Sequence, residues 1–370
     1  MVYQASSTPY LTSISPRYGN VVGGEEITFS GSGFAAATND VEIIIDGIEC
    51  TTTQVTDTEI KCTTGPRPGL VNSSLSMVIA GKGKVATQDK QFVYANYWSA
   101  DTTWGGEYAP MELESVYVPV GLNLLVDVDE TPELNAVIVE GSLIFAPHSD
   151  PTHQRYFDAH YVFVNGGSLE IGTEEHPYTS KLTITMHGTI SDPYIPTYGN
   201  KCIGLRYGRL DMHGKPREPT WTSLESTAEV NATTITLQEA VDWQEGEEIS
   251  IASTSYQARE AEKRMIIKVD RTNPDKPVLT LDQPLVNRHY AATETYGDQD
   301  IEMRAEVGLL SRNIVYRGDN SSKEEQYGAI IFMHSFGDES LKGRISYVEF
   351  ANTGQAFKEG RYTVHYHLIG

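Results

Sequence analysis

Short apolar–polar alternations, each closed by glycine, asparagine, aspartate or proline, run through nearly the whole chain. Period-two alternation belongs to strands, because successive side chains of an extended backbone point to opposite faces. Ile27 and Phe29 alternate with Thr28 and Ser30, and Val41/Ile43/Ile45 and Leu75/Met77/Ile79 follow the same rule. Helical spacing is scarce. The segment SYQAREAEKR, residues 255–264, is the best helix candidate, with a charged loop as its alternative.

Two textures of strand follow one another. In the first ninety-five residues the turn clusters SPRYGN, GSGF, TND, TGPRPG and GKGK separate strands at the spacing of a β-sandwich. Near Tyr97 a succession of shorter strands begins, including AVIVEG, YVFVNGG, SLEIG, KLTITMHG and RLDMHG, most of them ending in glycine. Glycine closes tight turns because it accepts positive φ without a Cβ clash. Regular glycine stops on short strands suggest a winding solenoid, although the period is loose enough to leave a sandwich open on these grounds alone. Met186-His187-Gly188 echoes Met212-His213-Gly214 twenty-six residues later, close to one turn of a β-helix. Equivalent positions of such a coil stack about 4.8 Å apart, which would set His187 and His213 in a ladder. Chance similarity of two strand ends is the alternative. From Trp221 the strands lengthen, and after EVGLLSRNIVYRGD they return to solenoid length. Trp98, Trp104 and Trp221 read as core or turn-packing residues.

Charge narrows the partners. The 370 residues carry 28 Lys and Arg against 50 Asp and Glu, a formal charge of −22. A binder of nucleic acid or of an anionic membrane needs the opposite field. Apolar residues make up 39 %, enough for packed cores. No stretch approaches the roughly 20 apolar residues of a membrane helix. The N-terminus lacks the regions of a signal peptide, and the C-terminus stops inside the apolar run VHYHLIG. The chain therefore reads as an excerpt, with any membrane anchor of the parent outside it.

Cys50 and Cys62 flank a strand–turn–strand pattern, with eleven residues between them. A bridge there would stabilise by roughly 2–3 kcal/mol; two buried thiols are the alternative. Cys202 reads as a small buried hydrophobe. Sequons at Asn72, Asn231 and Asn320 lie in polar, turn-like sequence where glycans could project. Together with the bridge they favour an extracellular or luminal setting.

The opening PYLTSISPRYGNVVGGEEITFSGSGF, the Cys50–Cys62 stretch and the closing strand KQFVY resemble an IPT/TIG domain, an immunoglobulin-like fold of cell-surface receptors. The run from YWSADTTWGG to GRLDMHGKPREPTW resembles the eight-glycine domain, with Gly141, Gly166, Gly167, Gly172, Gly188, Gly208 and Gly214 where that family keeps glycine. WQEGEEISIAST, MRAEVGLLSRNIVYRGD, GRISYVEFANTGQAF and GRYTVHYHLIG are similar to the region C-terminal to that domain in fibrocystin-like receptors and in the hyaluronan-depolymerising cell-migration family. Between Asp319 and Tyr327 the chain has a short linker where those relatives often carry a longer, cysteine-bearing insert. The resemblance implies an all-β chain: an immunoglobulin-like β-sandwich over 9–95, an eight-glycine solenoid over 96–222, and over 223–370 the start of a right-handed parallel β-helix.

The hyaluronan branch implies glycan hydrolysis, for which His187, Arg206 and Asp211 are the candidate cluster; turn-bonding and local ion pairing are their structural alternatives. His365 and His367 share one strand face and could bind a metal, but no third ligand is apparent. Asp127, Asp129 and Glu130 lack EF-hand spacing and read as a solvated loop. GKGK precedes no helix, so it is a hairpin turn and not a nucleotide loop. No cofactor or metal is expected. The favoured function is a non-enzymatic surface segment for adhesion, coat formation or receptor display, with protein or glycan partners and, from the fibrocystin-like resemblance alone, a ciliary setting. The alternative is a polysaccharide-binding or hydrolysing β-helix.

Overall fold

The computed structural model describes residues 8–67, 74–88, 90–335, 337 and 339–364. It divides into two compact units. The first holds the chain up to His213 together with 316–345 and the residues from 350 onward; the second holds 214–315 and 346–349.

The first unit opens with β1 (Tyr10–Ser15), β2 (Tyr18–Asn20), β3 (Glu26–Ser32), β4 (Val41–Ile45), β5 (Ile48–Val55), β6 (Glu59–Thr64), β7 (Leu75–Ile79), β8 (Gly83–Lys84) and β9 (Val93–Tyr97). Seven of them pair in the order β1-β3-β6-β5-β4-β7-β8, all antiparallel. The inward members of the alternations, among them Ile27, Phe29, Ile43, Ile45, Met77 and Ile79, share one core. Cys50 and Cys62, on the adjacent strands β5 and β6, form a disulfide in that core.

Then come β10 (Ser115–Val118), β11 (Asn123–Val126), β12 (Leu134–Val139), β13 (Ser142–Phe145), β14 (Gln154–Asn165), β15 (Ser168–Ile171), β16 (Lys181–Met186), β17 (Cys202–Arg206) and β18 (Gly208–His213). Here the pairing is parallel, and successive strands from β10 to β16 alternate between two sheets; β17 stays in the sheet of β16 and β18 joins the other. One sheet runs β10-β12-β14-β16, with β17 beside the second half of β14; the other runs β2-β9-β11-β13-β15-β18. Leu124, Leu143, Leu169 and Leu210 are register partners, as are Val126, Phe145, Ile171 and Met212, and all are buried. The Phe145 and Phe157 rings meet edge to face at 5.2 Å and link the two sheets.

Glycine sets the closest backbone approaches beside these parallel strands. A Cβ on Gly141 would lie 2.3 Å from the Pro119 and Leu122 carbonyl oxygens, one on Gly167 2.3 Å from the Gly141 oxygen, and one on Gly208 2.4 Å from the Gly167 oxygen. The three form a column in which backbone oxygens, that of the preceding glycine for Gly167 and Gly208, occupy the place of the missing side chain.

The second unit contains β19 (Trp221–Ser223), β20 (Thr234–Thr236), β21 (Glu248–Ile251), β22 (Glu262–Asp270), β23 (Val278–Leu281), β24 (Ala291–Tyr296), β25 (Gln299–Arg304) and β26 (Glu306–Leu309). Their order is β19-β26-β21-β22-β23-β20, with β24 and β25 as a separate hairpin. All these pairings are antiparallel, so the stretch expected to begin a parallel helix does not continue the parallel sheets. Its core gathers Leu224, Leu237, Trp243, Ile249 and Ile251. Trp221, expected to pack, is 58 % exposed. The helix candidate 255–264 is a 3₁₀ turn at Ala258–Glu260 followed by the start of β22. Glu262 and Ile266 are buried there, and the Glu262 carboxylate accepts the Val286 and Asn287 amides.

The chain then returns to the earlier sheets with β27 (Ile314–Gly318), which extends the β10 sheet beyond β16. Next come α1 (Ser321–Glu325), β28 (Ile330–His334) beside β17, β29 (Leu341–Ser346) beyond β18, and β30 (Val348–Ala351) beyond β27.

Candidate functional site

One face of the β10 sheet carries a row of ionisable side chains brought together by the strand register, in which Leu134, Ala159 and Met186 are partners. Glu133 precedes β12, His160 lies on β14, His187 follows β16 and Asp319 follows β27. His160 Nε2 is 2.8 Å from Glu133 Oε1. His187 Nε2 is 2.7 Å from Asp158 Oδ1, and its Nδ1 is 3.3 Å from Glu133 Oε2 and 3.9 Å from Asp319 Oδ2. The two imidazoles stand 6.0 Å apart. Burial alone would lower the His187 pKa, but the Asp158 hydrogen bond and the charges of Glu133, Asp158 and Asp319 outweigh it and raise it above 6.5.

Lys201 closes this row from within. Its side chain is wholly buried, and Nζ donates to Asp319 Oδ1 at 2.8 Å and to the Gly188 carbonyl at 2.9 Å. Burial pushes the Asp319 carboxyl up, but hydrogen bonds from Lys201 and Ser321 overcome this and hold it below 3.8. Beside the row opens a cleft of about 430 Å³ lined by Glu112, Glu130, Thr131, Pro132, Glu133 and Asp158.

A second cleft, of about 510 Å³, runs along one face of the other parallel sheet, from Tyr18 on β2 to Asp211 on β18. Glu170 on β15 and Asp211 on β18 are register partners at its floor. Glu170 accepts from the Tyr18 hydroxyl at 2.5 Å and pairs with Arg17 and Arg209 at 3.3 Å each. Asp211, 2 % exposed, pairs with Arg209 at 2.9 Å and Arg344 at 3.4 Å. Lys90 reaches Glu175 at 2.8 Å on the rim.

The candidate cluster His187, Arg206 and Asp211 is therefore not one site. His187 and Asp211 belong to different sheets, and Arg206, at the end of β17, sets its guanidinium 5.3 Å from the Tyr207 ring centroid. The expected His187–His213 ladder fails for the same reason: β16 and β18 are in different sheets, and His187 neighbours His160 instead. The acidic run disperses, with Asp127 accepting from Ser99 at 2.9 Å, Asp129 2.7 Å from His153 and Glu130 in the smaller cleft. Among the described residues no three His, Cys, Asp or Glu side chains gather as metal ligands. His365, His367 and Asn72 lie outside the described residues. Asn231 and Asn320 are exposed. Cys202 is buried, and burial pushes its thiol up to about 12. Trp98 is buried, with Trp104 edge-on at 5.1 Å.

Sequence reasoning missed Glu133, His160, Lys201 and Asp319. The separation of twenty-seven residues between His160 and His187 was the available signal, since it spans from β14 to its parallel partner β16.

Residues 9–94 match the IPT/TIG domain and residues 103–225 the G8 domain. The chain carries an IPT/TIG domain followed by a G8 domain. Its whole length aligns with mouse fibrocystin-L at 35 % identity and with human fibrocystin-L at 33 %, and 89 % of it aligns with mouse fibrocystin at 27 %. The chain spans 9 % of the length of each of these relatives. In the IPT/TIG domain the first and last matched strands are β1 and β9, and β9 also pairs with β11 at the threshold of the G8 domain.

Proposed function

We propose that this chain is a non-enzymatic, extracellular display segment of a fibrocystin-like surface protein. In this reading the G8 domain forms the first coils of a right-handed parallel β-helix and the IPT/TIG domain is its rigid cap. The observation that carries it is sheet continuity: β2 and β9 of the IPT/TIG domain extend the same parallel sheet as β11, β13, β15 and β18 of the G8 domain. Arg17 and Tyr18 fasten that junction to Glu170. The right hand is the one expected for parallel crossovers. A stiff, paired junction suits a segment that holds recognition surfaces at fixed spacing, with protein partners the favoured ligands and adhesion, a surface coat or ciliary display the settings. Asn72, Asn231 and Asn320 are its proposed glycan sites.

Hydrogen exchange on the intact chain tests the junction. The amides of β9 and β11 should open with one common free energy. Independent opening of the two strands would mean a hinged pair of domains and would overturn the rigid-cap reading.

A second reading, polysaccharide binding or hydrolysis, is favoured by the Glu170–Asp211 cleft, whose carboxylates, guanidinium groups and Ser142 and Ser168 hydroxyls suit a polyhydroxylated ligand. Depolymerisation of hyaluronan by the purified chain, abolished in a folded Asp211→Asn variant, would establish it. Intact hyaluronan with no bound glycan would remove it.

A further inference from the structure

The two parallel sheets end differently. Past β11 one sheet is continued by β9 and β2, but the other stops at β10, and among the described residues no strand pairs with the far edge of β10. The Glu114 carbonyl accepts from Asn135 N and the Val118 carbonyl from Glu140 N, both on the β12 side. Alternate residues of a strand turn their backbone groups to the same side, so Ser115 and Tyr117 present theirs to the open edge. Unpaired edges are templates for another strand.

The surroundings of this edge are apolar and acidic together. Met111, Leu113, Tyr117 and Val120 are 54 %, 57 %, 59 % and 68 % exposed. Leu113 is held at φ 61° with its amide bonded to the Glu133 carbonyl, a left-handed conformation that disfavours a side chain. The strand is thus entered through a strained, exposed leucine, the kind of outlier that clusters at ligand clamps. Directly alongside lies the cleft of Glu112, Glu130, Glu133 and Asp158, whose lining contains no lysine or arginine.

We propose that the β10 edge is a docking site for an extended segment of a protein partner, added as a further strand, whose lysine or arginine side chain enters the carboxylate cleft. Main-chain hydrogen bonds to Ser115 and Tyr117 supply the pairing, the exposed apolar side chains cover the partner's alternate residues, and the cleft selects the basic one. The site goes beyond the display reading and does not depend on it, since the open edge and the cleft belong to the G8 domain alone.

The test uses the whole chain and a capped peptide, Val-Lys-Val-Lys-Val, with Val-Glu-Val-Glu-Val as its counterpart, read by fluorescence anisotropy. The lysine peptide should bind and the glutamate peptide should not. Tyr117→Pro removes an edge donor and leaves the backbone pairing to β12, but it also removes the ring and its hydroxyl bond to Glu140, so it is compared with Tyr117→Ala, relative to which it should weaken binding about tenfold. Glu112→Gln with Glu130→Gln should weaken it about threefold at low salt and leave the melting temperature unchanged. The proline variant separates docking from general attraction to an acidic chain: equal binding to Tyr117→Ala and to folded Tyr117→Pro would overturn the proposal. So would failure of the lysine peptide to bind. Self-association of the chain that disappears in Tyr117→Pro would assign the edge to a second copy and overturn it as well.

Discussion

Replacing Gly167 by alanine tests the glycine column directly. The added Cβ would meet the Gly141 oxygen at 2.3 Å, the Glu140 carbonyl carbon at 2.8 Å and the Val139 oxygen at 2.8 Å, all of them backbone atoms. No rotamer change relieves such contacts. The corner cannot simply expand either, because Ser168 N donates to the Gly141 oxygen at 2.8 Å and Arg209 N to the Gly167 oxygen at 3.0 Å. Gly167 is not among the glycines with positive φ, so the penalty is overlap and not torsional strain. Overpacking of this kind costs about 1–3 kcal/mol. At about 2–4 °C per kcal/mol for a unit of this size, the melting temperature should fall by about 2–12 °C. Gly105 is the control: its φ is 74° and a Cβ there meets nothing within 4 Å, so Gly105→Ala carries strain alone, about 1 kcal/mol. Scanning calorimetry gives the ordering, and exchange of the Ser168 and Arg209 amides reports on the corner itself. A Gly167→Ala protein that melts with the wild type, or above Gly105→Ala, would refute the stacked-corner argument.

His187→Gln should flatten the stability–pH profile. A raised folded-state pKa means that the stabilisation is complete below the unfolded value of 6.5 and is lost as pH rises through the higher folded value. The wild type should therefore lose more stability than the variant above 6.5, and identical profiles in chemical denaturation would disprove this. Lys201→Met leaves Asp319 facing a buried methionine and should destabilise by about 3–5 kcal/mol, seen as a lowered urea midpoint. Cys50→Ala with Cys62→Ala opens a link across a sequence separation of 12 and should lower stability by about 3 kcal/mol, with far-UV circular dichroism unchanged below the transition.

Strand content was legible because the alternation is local: Ile27, Phe29, Ile43 and Met77 declare their inward face without reference to any partner. The glycines were legible for a related reason, since Gly141, Gly167 and Gly208 are demanded by close backbone approach at one corner. Sheet membership was not local. The Met-His-Gly echo pairs two strand ends that look alike, yet β16 and β18 fall in different sheets because β17 stays in the sheet of β16 and shifts the alternation by one strand. The antiparallel direction of β19–β26 was equally hidden, as alternation does not record strand direction. Lys201 was invisible for a different reason: its burial depends on Asp319, more than a hundred residues away in sequence and brought back by β27.

That return joins the two observations of greatest consequence. β27 brings Asp319 to the end of a row that begins at Glu133, so the row of His160 and His187 is completed only when the chain has come back from the second unit. At the other end the same sheet stops at β10 with its edge unpaired. Glu133 belongs to both regions, bonding His160 and His187 on one side and lining the acidic cleft on the other. A basic side chain entering that cleft would compete with the imidazoles for the Glu133 carboxylate and remove part of what raises the His187 pKa. Titration of the His187 ring by NMR, with and without the lysine peptide, should therefore show a lower pKa in the complex. An unchanged His187 titration at saturating peptide would mean that the bound segment does not reach Glu133.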